Sequence, residues 1–79
     1  MGNELKLKKI FAEALGVEES IIIDELTYKS IDQWDSLAHM TIIAFIEDQF
    51  NIMMETDDVI DMSSFLKAKE ILKKYGLEF

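Results

Sequence analysis

The segment QWDSLAHMTIIAFIEDQF, from Gln33 to Phe50, changes character at Ser36. The residues before Ser36 suit a loop or a helix cap, whereas the residues after it are largely apolar. Asp and Ser are preferred at helix N-caps, so an Asp-Ser pair in front of an apolar run is typical of a helix start. We therefore predict a helix from Ser36 to about Phe50.

Apolar residues lie on nearly the whole circumference of this predicted helix. At about 100° per residue, one broad arc forms the core face: Ala38, Ile42, Ile43, Phe45, Ile46 and Phe50. Leu37, Met40 and Ala44 lie on a second arc, and the acids Glu47 and Asp48 lie beside them. A small bundle cannot bury both arcs, so we expect the second arc to be an exposed docking strip for other proteins. The alternative is that the preceding loop covers Leu37 and Met40.

The rest of the chain predicts further helices and one long connection. The first helix extends from Asn3 to Leu15 and ends at Gly16, and the last extends from a cap at Ser63 or Ser64 to Tyr75. One short turn, capped by Thr56, precedes that last helix. The connection 17–35 reads as a loop held on the core by five apolar residues: Ile21, Ile22, Ile23, Leu26 and Ile31. The predicted fold is an all-α, small four-helix bundle of three long helices and one short helix.

The net charge of −8 is concentrated in the middle of the chain. No Lys or Arg occurs between Ser30 and Leu66, and that segment holds eight acids. Nucleic acid and anionic membranes would repel it, whereas proteins with basic patches would be attracted. A solvated acidic surface without a partner is the alternative. We read Asp57, Asp58 and Asp61 as such a surface, because their spacing matches no calcium loop.

The composition excludes several classes of protein. The 79 residues predict one domain, 1–79. The chain has no cysteine, which excludes disulfides, thiolate metal sites and a cysteine nucleophile. Its longest apolar run, Ile42 to Ile46, is far shorter than the roughly 20 residues of a membrane span. The N-terminus has no apolar signal region, so we expect a cytoplasmic protein. We also expect a monomer without a metal site.

Ser36 has three possible roles. The first is a plain helix cap, although the Glu or Gln of a capping box is missing at both Ala38 and His39. The second is a nucleophile with His39, the only histidine, as its base. No oxyanion hole or substrate pocket is evident for that reaction, so we expect His39 to be a partly exposed surface histidine. The third possibility is that the Ser36 hydroxyl is covalently modified.

Asp35-Ser36-Leu37 matches the phosphopantetheine attachment motif of the acyl carrier protein family, and the whole chain resembles that family. Residues 7–17 resemble the first helix and its Gly-Val exit, 47–52 the end of the second helix, and 57–72 the last two helices. The resemblance implies that a phosphopantetheinyl transferase moves 4′-phosphopantetheine from coenzyme A onto Ser36. The thiol of that arm then carries an acyl group as a thioester.

The resemblance also implies roles for the neighbours of Ser36. Asp35 matches the acidic residue that assists transferase recognition and caps the helix. The partner-docking residues, for acyl-loading and acyl-processing enzymes with basic patches, are Leu37, Met40, Ala44, Glu47 and Asp48. Gln33 and Trp34 replace the usual glycine region, and Ala38, Thr41 and Glu55 replace other frequent residues. These departures favour a specialised free-standing carrier, or a D-alanyl or peptidyl carrier, over primary fatty-acid synthesis. Trp34 is equally well explained as an aromatic that fixes the loop to the core.

We therefore predict a carrier and not an enzyme. The rival hypothesis is an unmodified helical adaptor that docks through the same strip, with Ser36 as a plain helix cap. A further hypothesis is that large apolar residues part to shelter a short acyl chain in the core: Phe11, Phe45, Ile46, Phe50 and Ile71.

Overall fold

The computed structural model describes residues 2–79, and in them the chain forms four α-helices. These are α1 (Gly2–Leu15), α2 (Ser36–Phe50), α3 (Thr56–Asp61) and α4 (Phe65–Lys73). Leu7, Ile10, Phe11 and Leu15 recur at helical spacing and are buried, which explains why α1 forms and packs against α2. Gly16 follows with φ +70°, a left-handed conformation that ends the helix. The predicted all-α four-helix bundle is confirmed.

The 20 residues between α1 and α2 are held on the bundle at few points. Ile22, Leu26 and Trp34 are buried, and Ile31 is half-buried, as predicted. Ile21 and Ile23 are exposed, so their predicted burial is wrong. The reason is a change of backbone conformation: Ile21 ends a single 3₁₀ turn, Glu19–Ile21, and Ile22 is extended, so neighbouring side chains point in different directions and the three isoleucines cannot all face the core.

The same connection is also bonded to the start of α4. The Tyr28 N–H donates to the Ser63 carbonyl at 2.9 Å, and the Phe65 N–H donates to the Leu26 carbonyl at 3.0 Å. Thr27 and Ser64 form an isolated antiparallel bridge between these two bonds. Phe65 then packs edge-on against Phe11 at 5.2 Å between ring centroids. The long loop is therefore fixed in place, and it presents α2 at a defined position.

The ends of the two last helices differ from the sequence prediction. Thr56 is the first residue of α3 and does not cap it; Glu55 occupies the N-cap and makes no side-chain cap bond. Ser64 caps α4, because its Oγ accepts from the Lys67 N–H at 2.9 Å. The helix ends at Lys73 rather than Tyr75. The chain then turns and places the Tyr75 hydroxyl against Asp58 of α3.

Candidate functional site

The start of α2 is capped by Asp35 and leaves Ser36 in the open. An oxygen of the Asp35 carboxylate accepts from the Ala38 N–H at 2.8 Å. Ser36 is consequently the first residue within the helix and its side chain is exposed, so the interpretation of Ser36 as the cap is wrong. The first N–H groups of a helix have no partner within that helix. The Asp35 side chain accepts from only one of them, the Ala38 N–H. The site is therefore an exposed hydroxyl at the positive end of a 15-residue helix.

A groove of about 310 Å³ opens beside Ser36. Its lining comes from the loop, from α2 and from the α3 region, and it consists of Tyr28, Ser36, His39, Met40, Val59, Ile60, Met62 and Ser63. Most of these side chains are apolar. Ile60 lies at the mouth and is exposed, although it belongs to a short acidic helix. The groove gives a flexible group attached near Ser36 an apolar surface to contact.

His39 connects three parts of the molecule. The Trp34 indole Nε1–H donates to His39 Nδ1 at 3.0 Å, and His39 Nε2 lies 2.8 Å from the Val59 carbonyl oxygen. An indole N–H can only donate and a carbonyl can only accept, so the hydrogen of the imidazole is on Nε2. The planes of the two rings are only 17° apart, so the His39 ring lies edge to edge with the Trp34 ring and nearly in the same plane. We call this Trp34–His39–Val59 arrangement the histidine bridge.

The histidine bridge settles two of the sequence interpretations. His39 is half-buried, as expected of a partly exposed residue, but both its nitrogens are engaged. It therefore has no free lone pair to take a proton from Ser36, and serine nucleophile catalysis lacks its base. Trp34 is fully buried and packs edge-on against Phe11 at 5.4 Å, so it does fix the loop to the core.

The second arc of α2 is exposed, as predicted. Leu37 and Met40 retain 77% and 54% of their accessible surface, and Ala44 is exposed next to them. The loop does not cover them, which excludes the alternative interpretation. The two acids differ, because Asp48 is exposed whereas Glu47 is half-buried and accepts from the Met54 N–H at 3.0 Å. Glu47 therefore also supports the turn that follows α2.

One acid of the middle block is not a solvated surface residue. Asp58 is buried, and its two oxygens accept from Lys74 Nζ and from the Tyr75 hydroxyl, each at 2.6 Å. The Tyr75 oxygen in turn accepts from the Glu55 N–H at 3.0 Å. The interpretation of Asp58 as solvated is therefore wrong, because residues beyond α4 fold back onto the start of α3.

This cluster shifts the titration of its members. The hydrogen bonds from Lys74 and Tyr75 hold the pKa of Asp58 below its ordinary value, although burial opposes the shift. The same contact with Asp58 raises the pKa of Lys74 and of Tyr75. The cluster thus anchors α3, which carries Val59 and Ile60 at the groove, in a charge-dependent way.

The sequence interpretation did not find the groove residues contributed by the loop and by α3. Tyr28, Val59 and Met62 carry no motif, and only their positions in the fold bring them to Ser36. Ile60 had a usable signal, because a large apolar residue between acids in a short exposed helix is unusual. Among residues 2–79, no group of His and acidic side chains is arranged to hold a metal ion. Within the same residues, every helix is too short or too polar to cross a membrane.

Comparisons with known proteins agree with this geometry. The chain is 33% identical over 73 residues to an acyl carrier protein of Buchnera aphidicola, across 91% of this chain and 92% of that one. An acyl carrier protein of Karelsulcia muelleri is 32% identical over 75 residues, which cover 92% and 90% of the two chains. An acyl carrier protein of Desulforapulum autotrophicum is 36% identical over 75 residues, which cover 94% and 97%. No family model matches the chain.

A solved structure shares the fold. The solution NMR structure of holo acyl carrier protein from Geobacter metallireducens superposes with a TM-score of 0.79, over 94% of this chain and 85% of that chain. The sequence identity in that pair is 23%, so the likeness is one of architecture.

Proposed function

Because the chain belongs to the acyl carrier protein family, we propose that Ser36 receives a 4′-phosphopantetheine arm from coenzyme A. The protein is a carrier and not an enzyme, and residues 1–79 act as one carrier domain. A phosphopantetheinyl transferase catalyses the attachment. The Ser36 oxygen bonds to the phosphorus, loses its proton and displaces the nucleotide half of coenzyme A.

The observation that carries this proposal is the exposed Ser36 hydroxyl at the start of α2. A phosphodiester there meets N–H groups without intrahelical partners and the positive end of the helix dipole. The first turn of α2 contains no acidic side chain to repel it, and the adjacent Asp35 carboxylate is engaged with the Ala38 N–H. The residues present therefore fit the group. The terminal thiol of the arm supplies the one reactive function that this cysteine-free chain lacks, and it carries the acyl group as a thioester.

The partners are the transferase and the enzymes that load and process the acyl group. Leu37, Met40 and Ala44 supply an exposed apolar contact surface for them, directly beside Ser36. Asp48 is exposed beside this strip and, with Glu47, steers partners that have basic patches, because opposite charges accelerate encounter. Asp35 assists the transferase while it caps the helix.

The carrier serves a specialised pathway rather than primary fatty-acid synthesis. Two features support this assignment: Trp34 precedes the Asp-Ser pair and is part of the histidine bridge, and Ala38 and Thr41 replace acids that are frequent early in the second helix. D-alanyl and peptidyl carriers are the alternatives within the family. Mass spectrometry of the protein purified from its own cell identifies the cargo, and a long unmodified fatty acyl group there would contradict the assignment.

Intact-mass measurement tests the attachment itself. The protein is incubated with coenzyme A and a broad-specificity transferase, and the expected result is the gain of one phosphopantetheine. Ser36→Ala abolishes the gain. Ser63→Ala is the matched control, because Ser63 lines the same groove, is exposed and lies outside the helix start. If the parent gains no mass, the protein is an unmodified adaptor and the proposal is wrong.

A further inference from the structure

The groove beside Ser36 ends at the histidine bridge. The His39 ring lines the groove, whereas Trp34 does not line it and is fully buried. Because His39 accepts the indole N–H of the buried Trp34 and the ring centroids are 6.1 Å apart, His39 lies between the groove and the aromatic part of the core. Tyr28 contacts both rings edge-on, at 5.4 Å from His39 and 6.2 Å from Trp34, which closes the wall on the loop side.

We infer that the histidine bridge separates the groove from the core and thereby restricts the cargo that the protein can shelter to short apolar acyl groups. The inference rests on the proposed function, in that it takes Ser36 as the point of attachment. His39 is then a residue that determines specificity. A chain that passes it has to break the Trp34–His39 or the His39–Val59 hydrogen bond, and it leaves a buried indole N–H or a carbonyl oxygen without its partner.

The core beyond the bridge contains large aromatic side chains that contact one another. Phe11 packs edge-on against both Trp34 and Phe65, at 5.4 and 5.2 Å between centroids. Every buried side-chain nitrogen and oxygen among residues 2–79 has a hydrogen-bond partner. Interiors packed in this way contain few voids, so an incoming chain has to displace side chains that are already in contact. This argues against shelter of the acyl chain among the core phenylalanines.

The groove itself sets the size and polarity of the cargo. Its volume of about 310 Å³ is at the lower limit of small-molecule sites, which span about 300–1,000 Å³. Met40, Val59, Ile60 and Met62 provide most of its surface as apolar contact. A short acyl group fills such a groove, whereas a long one extends over Met40 and Ile60 into water.

Because the chain contains no cysteine, the inference can be tested without a transferase. Ser36→Cys introduces a single thiol at the edge of the groove, and ethyl, butyl and octyl methanethiosulfonate attach chains of increasing length to it as disulfides. Trp34 is the only tryptophan, so its indole N–H gives one NMR signal that reports on the bridge. Methyl signals of Val59 and Ile60 report on the groove, and those of Ile46 and Leu72 report on the core.

For each variant, the NMR signals of the butyl and octyl adducts are compared with those of the ethyl adduct. In Ser36→Cys we expect octyl to move the Val59 and Ile60 signals and to leave the indole, Ile46 and Leu72 signals unchanged. With His39→Leu added, which removes both hydrogen bonds, octyl moves the Ile46 and Leu72 signals as well. His39→Gln is the matched control, because its amide both donates and accepts and keeps the octyl chain in the groove.

The inference is overturned if octyl moves the indole and core signals in the Ser36→Cys background itself. It is equally overturned if His39→Leu and His39→Gln give the same pattern. Circular dichroism checks that the variants fold, and if His39→Leu does not, the Ser36→Cys series alone decides. The result is independent of loading by coenzyme A, so a failure of the proposed attachment is distinguished from a failure of this inference.

Discussion

The starts of α2 and α4 have the same type of capping hydrogen bond, but the first is open to solvent and the second is covered. Asp35 accepts from the Ala38 N–H at 2.8 Å, and Ser64 accepts from the Lys67 N–H at 2.9 Å. The first residue inside α2 is the exposed Ser36, whereas the first residue inside α4 is Phe65, which retains 1% of its accessible surface. A cap therefore fixes where a helix begins but does not decide whether that beginning is available to other molecules.

The difference lies in what covers each helix start. The Phe65 N–H is bonded to the Leu26 carbonyl, and the adjacent bridge between Thr27 and Ser64 fastens the loop across α4. At α2 the loop arrives through buried Trp34 and turns away, so the groove remains open beside Ser36. The second residue of each helix is an exposed leucine, and the two differ in the same direction. Leu37 of α2 retains 77% of its accessible surface, and Leu66 of α4 retains 44%. The open helix start is suited to attachment and the closed one to stability.

The largest expected difference is between alanine substitutions at the first residue of each helix. Phe65→Ala removes a ring that contacts Phe11 in the core, so it should lower the free energy of unfolding by about 3–5 kcal/mol. Ser36→Ala should change it by less than about 0.5 kcal/mol, since the side chain is exposed. Urea unfolding monitored by circular dichroism measures both. A large loss for Ser36→Ala would show that the open start of α2 is in fact a packed one.

Removal of either cap should lower the free energy of unfolding by the same amount, and by less than Phe65→Ala does. Asp35→Ala and Ser64→Ala each leave one helix N–H without its acceptor, and each should cost about 1 kcal/mol in urea unfolding. Asp35→Ala should also slow the loading of Ser36, whereas Ser64→Ala should not. Asp35→Asn keeps a good cap and removes the charge, so it separates the two roles. Normal loading of Asp35→Asn would contradict a charge-based role in transferase recognition.

The exposed leucines test docking. Leu37→Ala should raise the KM of the transferase for the protein about fivefold, equivalent to about 1 kcal/mol of contact energy. Leu66→Ala is the matched control at the same position of α4 and should leave that KM unchanged. Neither substitution should alter the free energy of unfolding by more than about 0.5 kcal/mol. Equal effects of the two on KM would place the docking surface elsewhere.

The smallest expected effect is a local response of α3, which lies beside the open start of α2, to a fall in pH. The pKa of Asp58 is held below its ordinary value by the hydrogen bonds from Lys74 and Tyr75, so the folded protein favours the carboxylate. The stabilisation is fully present above the ordinary carboxyl range, near 3.8, and it is lost as the pH falls through the lowered pKa. NMR during acid titration should show amide signals of Val59 and Ile60 moving in this range, ahead of that of Phe65.

Asp58→Asn supplies the control for that titration. It removes the titrating carboxylate but keeps an oxygen that can accept from the Tyr75 hydroxyl. The acid response of Val59 and Ile60 should then disappear, and the stability of the variant should depend less on pH between neutral and acid conditions. If the response persists unchanged, another acid controls the position of α3.

Local signals in the sequence were sufficient for the number of helices and for the bounds of α2. The bounds of α2 match the prediction, since the Asp35 cap and the apolar spacing act over a few residues of the chain. The prediction of the exposed arc of α2 depended only on helical geometry, and Leu37, Met40 and Ala44 are exposed as expected. The exposure of Ile21 and Ile23 was not predicted, because the chain changes from a 3₁₀ turn at Ile21 to an extended conformation at Ile22.

Pairing between distant residues was not predictable from the same signals. The segment around Ser36 holds the whole net negative charge in the sequence, yet Lys74 pairs with Asp58 at 2.6 Å and Lys67 with Asp61 at 3.4 Å. The unpredicted burial of Asp58 follows from the first of these pairs. His39 likewise looked like an ordinary surface residue until Val59, 20 positions away, was found to lie beside it.

The sequence by itself determined where α2 begins, which of its two apolar arcs is left over, and that any working thiol must come from outside the chain. These properties depend on residue type and on neighbours within about one helical turn. Only the tertiary structure decided that the start of α2 is open while that of α4 is closed, and that His39 lines the groove while it is bonded to the buried Trp34. Those properties depend on contacts between segments that are far apart in the chain, and such contacts leave no periodic pattern in the sequence.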